Sequence, residues 1–189
     1  MASISIIGSG SMGQAIKSVF DKGGHGVEFV GRDASQPVNG QIVVLAVPYP
    51  AVAEILAERA GQLAGKVVVD ITNPVDFATF DSLVVPADSS AAALIQAQLP
   101  ESAVVKAFNT NFGSTLSVGR VGELATTVLV AGDDEAAKAA LLDAVRAGGL
   151  SALDAGSLKR ARELEAIGFL QITLAARELV AWTGGFGVV

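Results

Sequence analysis

Apolar residues along the chain fall into short runs, separated by stretches where they return every three or four positions. Ser3 to Ile7 alternates into a buried strand. Val27–Val30, Ile42–Val47, Val67–Ile71, Val104–Phe108 and Thr126–Val130 follow as further strands. Several are unbroken Val, Ile and Leu runs, the pattern of parallel strands covered on both faces. Helical spacing predicts helices near Met12–Asp21, Ala51–Ala60, Ala91–Gln98 and Asp134–Ala147. A short strand at Ala152–Asp154 precedes a long, alanine-rich last helix from Leu158 to about Trp182. Strand–helix alternation of this kind predicts an α/β fold, a doubly wound parallel sheet with right-handed crossovers and a small C-terminal helical extension.

The first strand runs directly into Gly8-Ser9-Gly10-Ser11-Met12-Gly13, a G-x-G-x-x-G sequence that opens the first helix. In that context each glycine has a task. Gly8 permits the tight turn, Gly10 lets a pyrophosphate approach the backbone, and Gly13 lets the helix sit close to the sheet. Free N–H groups and the positive dipole end of the helix would face the phosphates. The competing reading is that Ser11 and Gln14 form a capping box. With the strand before and the helix after, the motif predicts a Rossmann-type dinucleotide-binding domain over residues 1–150. Residues 151–189 then form a C-terminal helix and tail that serve packing, a dimer contact and an acceptor cleft.

The end of the second strand selects the dinucleotide. Val30-Gly31-Arg32-Asp33 leaves space at Gly31 and offers Arg32 to a 2′-phosphate, which favours NADP; Asp33 could bind a ribose instead. Val47, Pro48 and Tyr49, at the end of the third strand, border the ligand crevice, and Pro50 suits the first turn of the next helix. Asn73 ends the fourth strand; Asn109 and Thr110 end the fifth. These amides and hydroxyl could orient a nicotinamide, with Phe108 or Phe112 as a wall for a flat ring. Asp88-Ser89-Ser90 reads as a helix N-cap.

Composition then narrows the chemistry. The chain of 189 residues has no cysteine, which excludes disulfides, thiol catalysis and cysteine-ligated metals. A net charge of −6 argues against a nucleic-acid partner. The content is 51% hydrophobic, yet charges or glycines interrupt every apolar stretch, so no membrane span is expected; the N-terminus lacks a basic region, so no signal peptide is expected either, and a cytoplasmic address is. The single histidine, His25, lies in a turn at the wrong end of the sheet, and Lys106 lies in or beside a strand. Tyr49 lacks the Lys four residues later that short-chain dehydrogenases use. No catalytic acid and no metal ligand set is therefore assigned. Hydride transfer to a ring that stabilises its own reduced form needs only positioning and exclusion of water.

Taken together, the glycine motif, Val30-Gly31-Arg32, Val47-Pro48, Asp70-Ile71-Thr72-Asn73-Pro74, Val105-Lys106-Ala107-Phe108-Asn109-Thr110 and Val130-Ala131-Gly132-Asp133-Asp134 resemble the deazaflavin (coenzyme F420)-dependent NADP oxidoreductase family. The short bacterial dinucleotide-binding oxidoreductases are the most similar members, and the cytosolic domain of transmembrane ferric reductases is a cousin. The resemblance implies that Ser9, Ser11, Met12, Gly31 and Arg32 contact the adenosine and phosphates. It also implies that Ala46, Val47 and Pro48 line the cofactor, and that Asn73, Asn109 and Thr110 lie by the nicotinamide. Family members commonly carry Ser before the Arg and a second basic residue after it, where this chain has Gly31 and Asp33. In place of a family His in the fifth-strand motif stands Asn109.

The expected function is NADP(H)-dependent hydride transfer between nicotinamide and a flavin or deazaflavin-like acceptor, a small-molecule co-substrate. Alternatives are an NADP(H)-binding redox sensor without turnover, and a small imine or carbonyl reductase using Tyr49 or Lys106 as proton donor. The last helix and the tail Trp182–Val189 carry more apolar surface than one small domain readily covers, so a homodimer through this helix is expected.

Overall fold

The computed structural model describes residues 1–189. Its centre is a seven-stranded sheet. In chain order the strands are β1 (Ser3–Ile7), β2 (Gly26–Val30), β3 (Ile42–Leu45), β4 (Val67–Asp70), β5 (Ala103–Lys106), β8 (Thr127–Gly132) and β9 (Ser151–Gly156). A two-stranded hairpin, β6 (Arg120–Val121) and β7 (Leu124–Ala125), stands apart. The spatial order is β2-β1-β3-β4-β5-β8-β9. The first five of these run parallel, as the apolar runs imply. The expectation of an all-parallel sheet fails at the other edge, where β8 pairs antiparallel to β5 and β9 follows β8 in parallel. Between β5 and β8 the chain makes only the short helix α4 (Gly113–Val118) and the hairpin, and no full crossover helix returns it to the starting end. Neither α4 nor the hairpin was anticipated from the apolar pattern. Because β9 belongs to the main sheet, that sheet runs across residue 150.

Strand alternation divides the interior into two layers. Ile4, Ile6, Ile42, Val44, Val69, Val105, Val128 and Val130 pack on one face beneath α1 (Ser11–Lys22) and α5 (Glu135–Ala147). Ile7, Val43, Leu45, Val68 and Val104 face the other way. They meet α2 (Val52–Leu63), α3 (Ala91–Gln98) and the 3-10 turn Leu158–Arg160 that leads into α6 (Ala161–Ala176). The last helix is therefore shorter than its composition suggests. It stops at Ala176, and Glu178 follows in the left-handed region at φ 60°, which breaks the helical path. The tail beyond folds back on its own chain. Trp182 lies 5.0 Å from Phe112 between ring centroids, its carbonyl accepts from Ser114 Oγ at 2.6 Å, and the Phe186 N–H donates to Gln171 Oε1 at 3.0 Å.

Candidate dinucleotide site

The carboxyl ends of β1, β2 and β3 open on a cleft of about 610 Å³. Of the residues singled out in the sequence, Gly8, Ser9, Gly10, Gly31, Arg32, Ala46, Val47 and Pro48 line it. The three motif glycines divide their work as the turn demands. Gly8 sits at φ 108°, and a Cβ there would lie 2.2 Å from the Ala46 carbonyl oxygen. A Cβ on Gly13 would lie 2.2 Å from the Gly8 carbonyl oxygen, so Gly13 lets α1 close on the turn. Gly10 has nothing within 4 Å of a Cβ, so no protein atom requires a glycine there and the space beside it is open.

Helix α1 begins without a side-chain cap. Gly10 occupies the N-cap, and the capping box that Ser11 and Gln14 could have formed is absent; Gln14 Nε2 donates instead to the Ser9 carbonyl at 3.4 Å. By contrast, Ser90 Oγ caps α3 by accepting from the Ala93 N–H, and the Asp134 carboxylate caps α5 through the Ala137 N–H. Uncapped N–H groups beside an open glycine suit an anion. Ser11 is exposed at this terminus, while Met12 is half-buried and would touch any side chain placed at Gly113.

The loop after β2 sets Arg32 and Asp33 in different surroundings. Asp33 Oδ1 accepts from the Ser35 N–H at 2.9 Å and from Ser35 Oγ at 2.7 Å, and these bonds hold its carboxyl below the usual range. One carboxylate oxygen is thus engaged in its own turn. Arg32 is exposed at the rim of the cleft.

At the carboxyl ends of β4 and β5 the polar residues hold one another. Asn109 Nδ2 donates to Asn73 Oδ1 at 2.9 Å and to the Leu164 carbonyl of α6 at 2.8 Å, while Asn73 Nδ2 donates to the Asn109 carbonyl at 2.8 Å. Gly168 of α6 presses on this pair; a Cβ there would lie 2.2 Å from Asn73 Oδ1. Gln171 Nε2 donates to the Thr110 carbonyl at 3.3 Å. Asn109 and Thr110 are buried, Asn73 is half-buried, and none of the three lines the cleft at β1–β3. Asn109 Oδ1 and Thr72 Oγ1 are buried polar atoms without a partner.

Beneath them lies an ion cluster. Lys106 Nζ donates to Asp70 Oδ2 and Glu165 Oε1, each at 2.8 Å, and to the Thr72 carbonyl. The Glu165 carboxylate also accepts from the Ala91 and Ala92 N–H groups at the start of α3. Burial pushes the Glu165 carboxyl up despite the opposing pull of Lys106. The Tyr49 hydroxyl is pushed up as well, by burial first and then by the Glu165 and Asp70 carboxylates. Lys106 is fully buried and pinned, so it cannot reach a substrate.

Phe108 is also fully buried, stacked edge-on to Phe20 at 6.0 Å, which removes it as a wall for a flat ring. Phe112 remains half-buried under Trp182. His25 accepts from the Ala2 N–H, far from the cleft, as its turn position implies. Sequence patterning missed Glu165 and Arg59. The first follows Arg162-Glu163-Leu164, where it reads as one more charge of a solvated helix start; nothing local marks the second.

Known proteins resemble this chain in sequence and in fold. Residues 26–74 match the family model described as NADP oxidoreductase, coenzyme F420-dependent. Over 157 residues the chain is 34% identical to the F420-dependent NADP reductase of Methanocaldococcus jannaschii, a match spanning 81% of this chain and 69% of that one. It is 39% identical over 113 residues to the metalloreductase STEAP3 of Rattus norvegicus, covering 59% of this chain but 22% of that protein. A crystal structure from Arthrobacter, assigned as an F420-dependent NADP reductase, superposes over 100% of both chains with a TM-score of 0.85 and 27% identity.

Proposed function

Because the chain belongs to the F420-dependent NADP oxidoreductase family, we propose that it passes hydride between the nicotinamide of NADP and a deazaflavin-type ring. The observation that carries this reading is the uncapped start of α1 beside Gly10, opening on a cleft whose far rim holds Arg32. These residues fit a dinucleotide phosphate. The Ser11, Met12 and Gly13 N–H groups would hold the pyrophosphate, Arg32 the 2′-phosphate, and Ala46, Val47 and Pro48 the adenosine side. Bound NADP supplies the transferable hydride.

The other half of the crevice supports positioning chemistry. Tyr49 is made a weaker acid by its surroundings, and Lys106 is locked between two carboxylates. Neither suits proton donation to a carbonyl or imine product, which disfavours reductases that need such a donor. A deazaflavin-type acceptor would supply its own protonation site at a ring nitrogen, so that this chain's residues need only bind and orient it. Asn73, Asn109 and Thr110 act in this reading by fixing the crevice wall and α6, against which a nicotinamide would lie.

The protein acts as a homodimer in the same proposal. Ile167 and Leu170 on α6, with Leu179, Trp182 and Phe186 after it, leave an apolar surface that a second copy would cover. No helix is long and apolar enough to cross a membrane.

The test is a panel of acceptors with NADPH: deazaflavin, free flavins, ferric chelates, quinones, ketones and 2-oxo acids. Turnover with the deazaflavin or a flavin, negligible carbonyl reduction and a flat rate near neutral pH are expected. Fast ketone reduction with a bell-shaped pH profile would overturn the reading, and binding without any turnover would favour the sensor.

A further inference from the structure

The cleft holds a second cation whose position in α2 gives no hint of a cofactor role. Arg59 is 2% exposed, yet it makes no ion pair within 4 Å. Its guanidinium is satisfied by backbone instead. Nη1 donates to the Gln36 carbonyl at 2.9 Å, and Nη2 donates to the Gly31 carbonyl at 3.0 Å and to the Asp33 carbonyl. All three acceptors belong to the loop that carries Arg32. Gln36 ties the same loop back through the Gly31 N–H at 2.7 Å and the Phe29 carbonyl at 3.2 Å.

A buried cation is costly unless something offsets its lost hydration, and three carbonyl dipoles do so only in part. Arg59 nevertheless lines the same cleft as Gly31 and Arg32. No carboxylate closes to an ion pair with it, although the Asp33 charge acts on it from a distance. Asp33 is held by Ser35, while Glu54 and Glu58 border the cleft from exposed positions on α2.

Resting on the NADP reading, we propose that Arg59 is a specificity-determining positioning residue. It locks the 31–36 loop so that Arg32 meets the 2′-phosphate, and it sets a second positive charge beneath that phosphate. A planar guanidinium suits the task because its forked donors reach several carbonyls at once, which a lysine ammonium cannot reproduce. Arg32 and Arg59 then act on one phosphate from the loop and from α2.

Calorimetric titration of 2′,5′-ADP and 5′-ADP into wild type, Arg59→Met and Arg59→Lys tests this, with circular dichroism as the check on folding. Wild type should prefer 2′,5′-ADP. In Arg59→Met that preference should fall at least tenfold, with 5′-ADP binding changed less than threefold. Arg59→Lys, which retains the charge but loses the fork, should fall between the two and serves if the methionine variant does not fold. Unchanged preference in the folded variants, or equal loss of both nucleotides, would overturn the role of Arg59. A wild type that does not distinguish the two nucleotides would instead overturn the cofactor reading beneath it.

Discussion

Asp70 and Lys106 stand at paired positions on the neighbouring strands β4 and β5, and their side chains meet at 2.8 Å with no solvent access. Strand alternation turns both toward the layer that holds α3 and α6, where Glu165 reaches the same ammonium. The buried charges survive because they satisfy one another and the open start of α3. The cluster is therefore a joint between sheet, α3 and α6.

Removing the centre of that joint should be severe. Lys106→Met leaves two carboxylates buried without their cation and is expected to cost about 3–5 kcal/mol. Urea unfolding of the two proteins measures it; a loss below about 1 kcal/mol would mean that the cluster is hydrated and unimportant.

Glu165 should leave a signature in the pH dependence of stability. Its folded carboxyl titrates above the ordinary value of 4.5, so the native state holds a proton that the unfolded chain has already released. Stability contributed by this group is present below 4.5 and declines as pH rises through the raised folded value. Glu165→Gln removes that decline. Unfolding series from pH 4 upward should show wild type losing ground to the variant across this window and holding a constant difference beyond it; parallel profiles would refute the assignment.

The motif glycines separate folding from binding. Gly10→Ala meets no protein atom, so it should melt near the wild-type temperature while binding NADP far more weakly. Gly13→Val drives a branched side chain into the Gly8 carbonyl and should abolish binding with a loss of thermal stability. Wild-type affinity in either variant by calorimetry would remove the phosphate site from the start of α1.

Arg32→Ala should weaken NADP by ~1.5–3 kcal/mol, the scale of a charge-assisted hydrogen bond, while NAD changes little. Equal losses for the two cofactors would mean that Arg32 does not read the phosphate.

The exposed apolar residues of α6 and the tail predict assembly. Light scattering at micromolar concentration should report a dimer, and Leu170→Glu should convert it to a monomer without unfolding it. A monomeric wild type would leave that surface to another partner.

The order of elements was legible in the chain because local chemistry sets it. Valine and isoleucine runs make strands wherever they occur, the spacing of α1 makes a helix, and Gly8, Gly10 and Gly13 are required by a turn a few residues wide. Arg32 was legible for the same reason, since it follows its strand directly. Contacts between distant segments are different. Nothing near Arg59 tells that its guanidinium meets the carbonyls of Gly31, Asp33 and Gln36, and nothing near Glu165 tells that it meets Lys106. In a helix either charge reads as a solvated face. Direction was hidden too: β8 is as apolar as a parallel strand, and its reversal depends on the missing crossover helix after β5. Asn73 and Asn109 were placed at the crevice by their strand ends, but that they hold each other and α6 depends on Gly168 allowing that helix to approach. Periodicity and turn chemistry act over a few residues and can be read one segment at a time. Pairing of buried charges and amides acts through space, and only the packed chain decides which partners satisfy them.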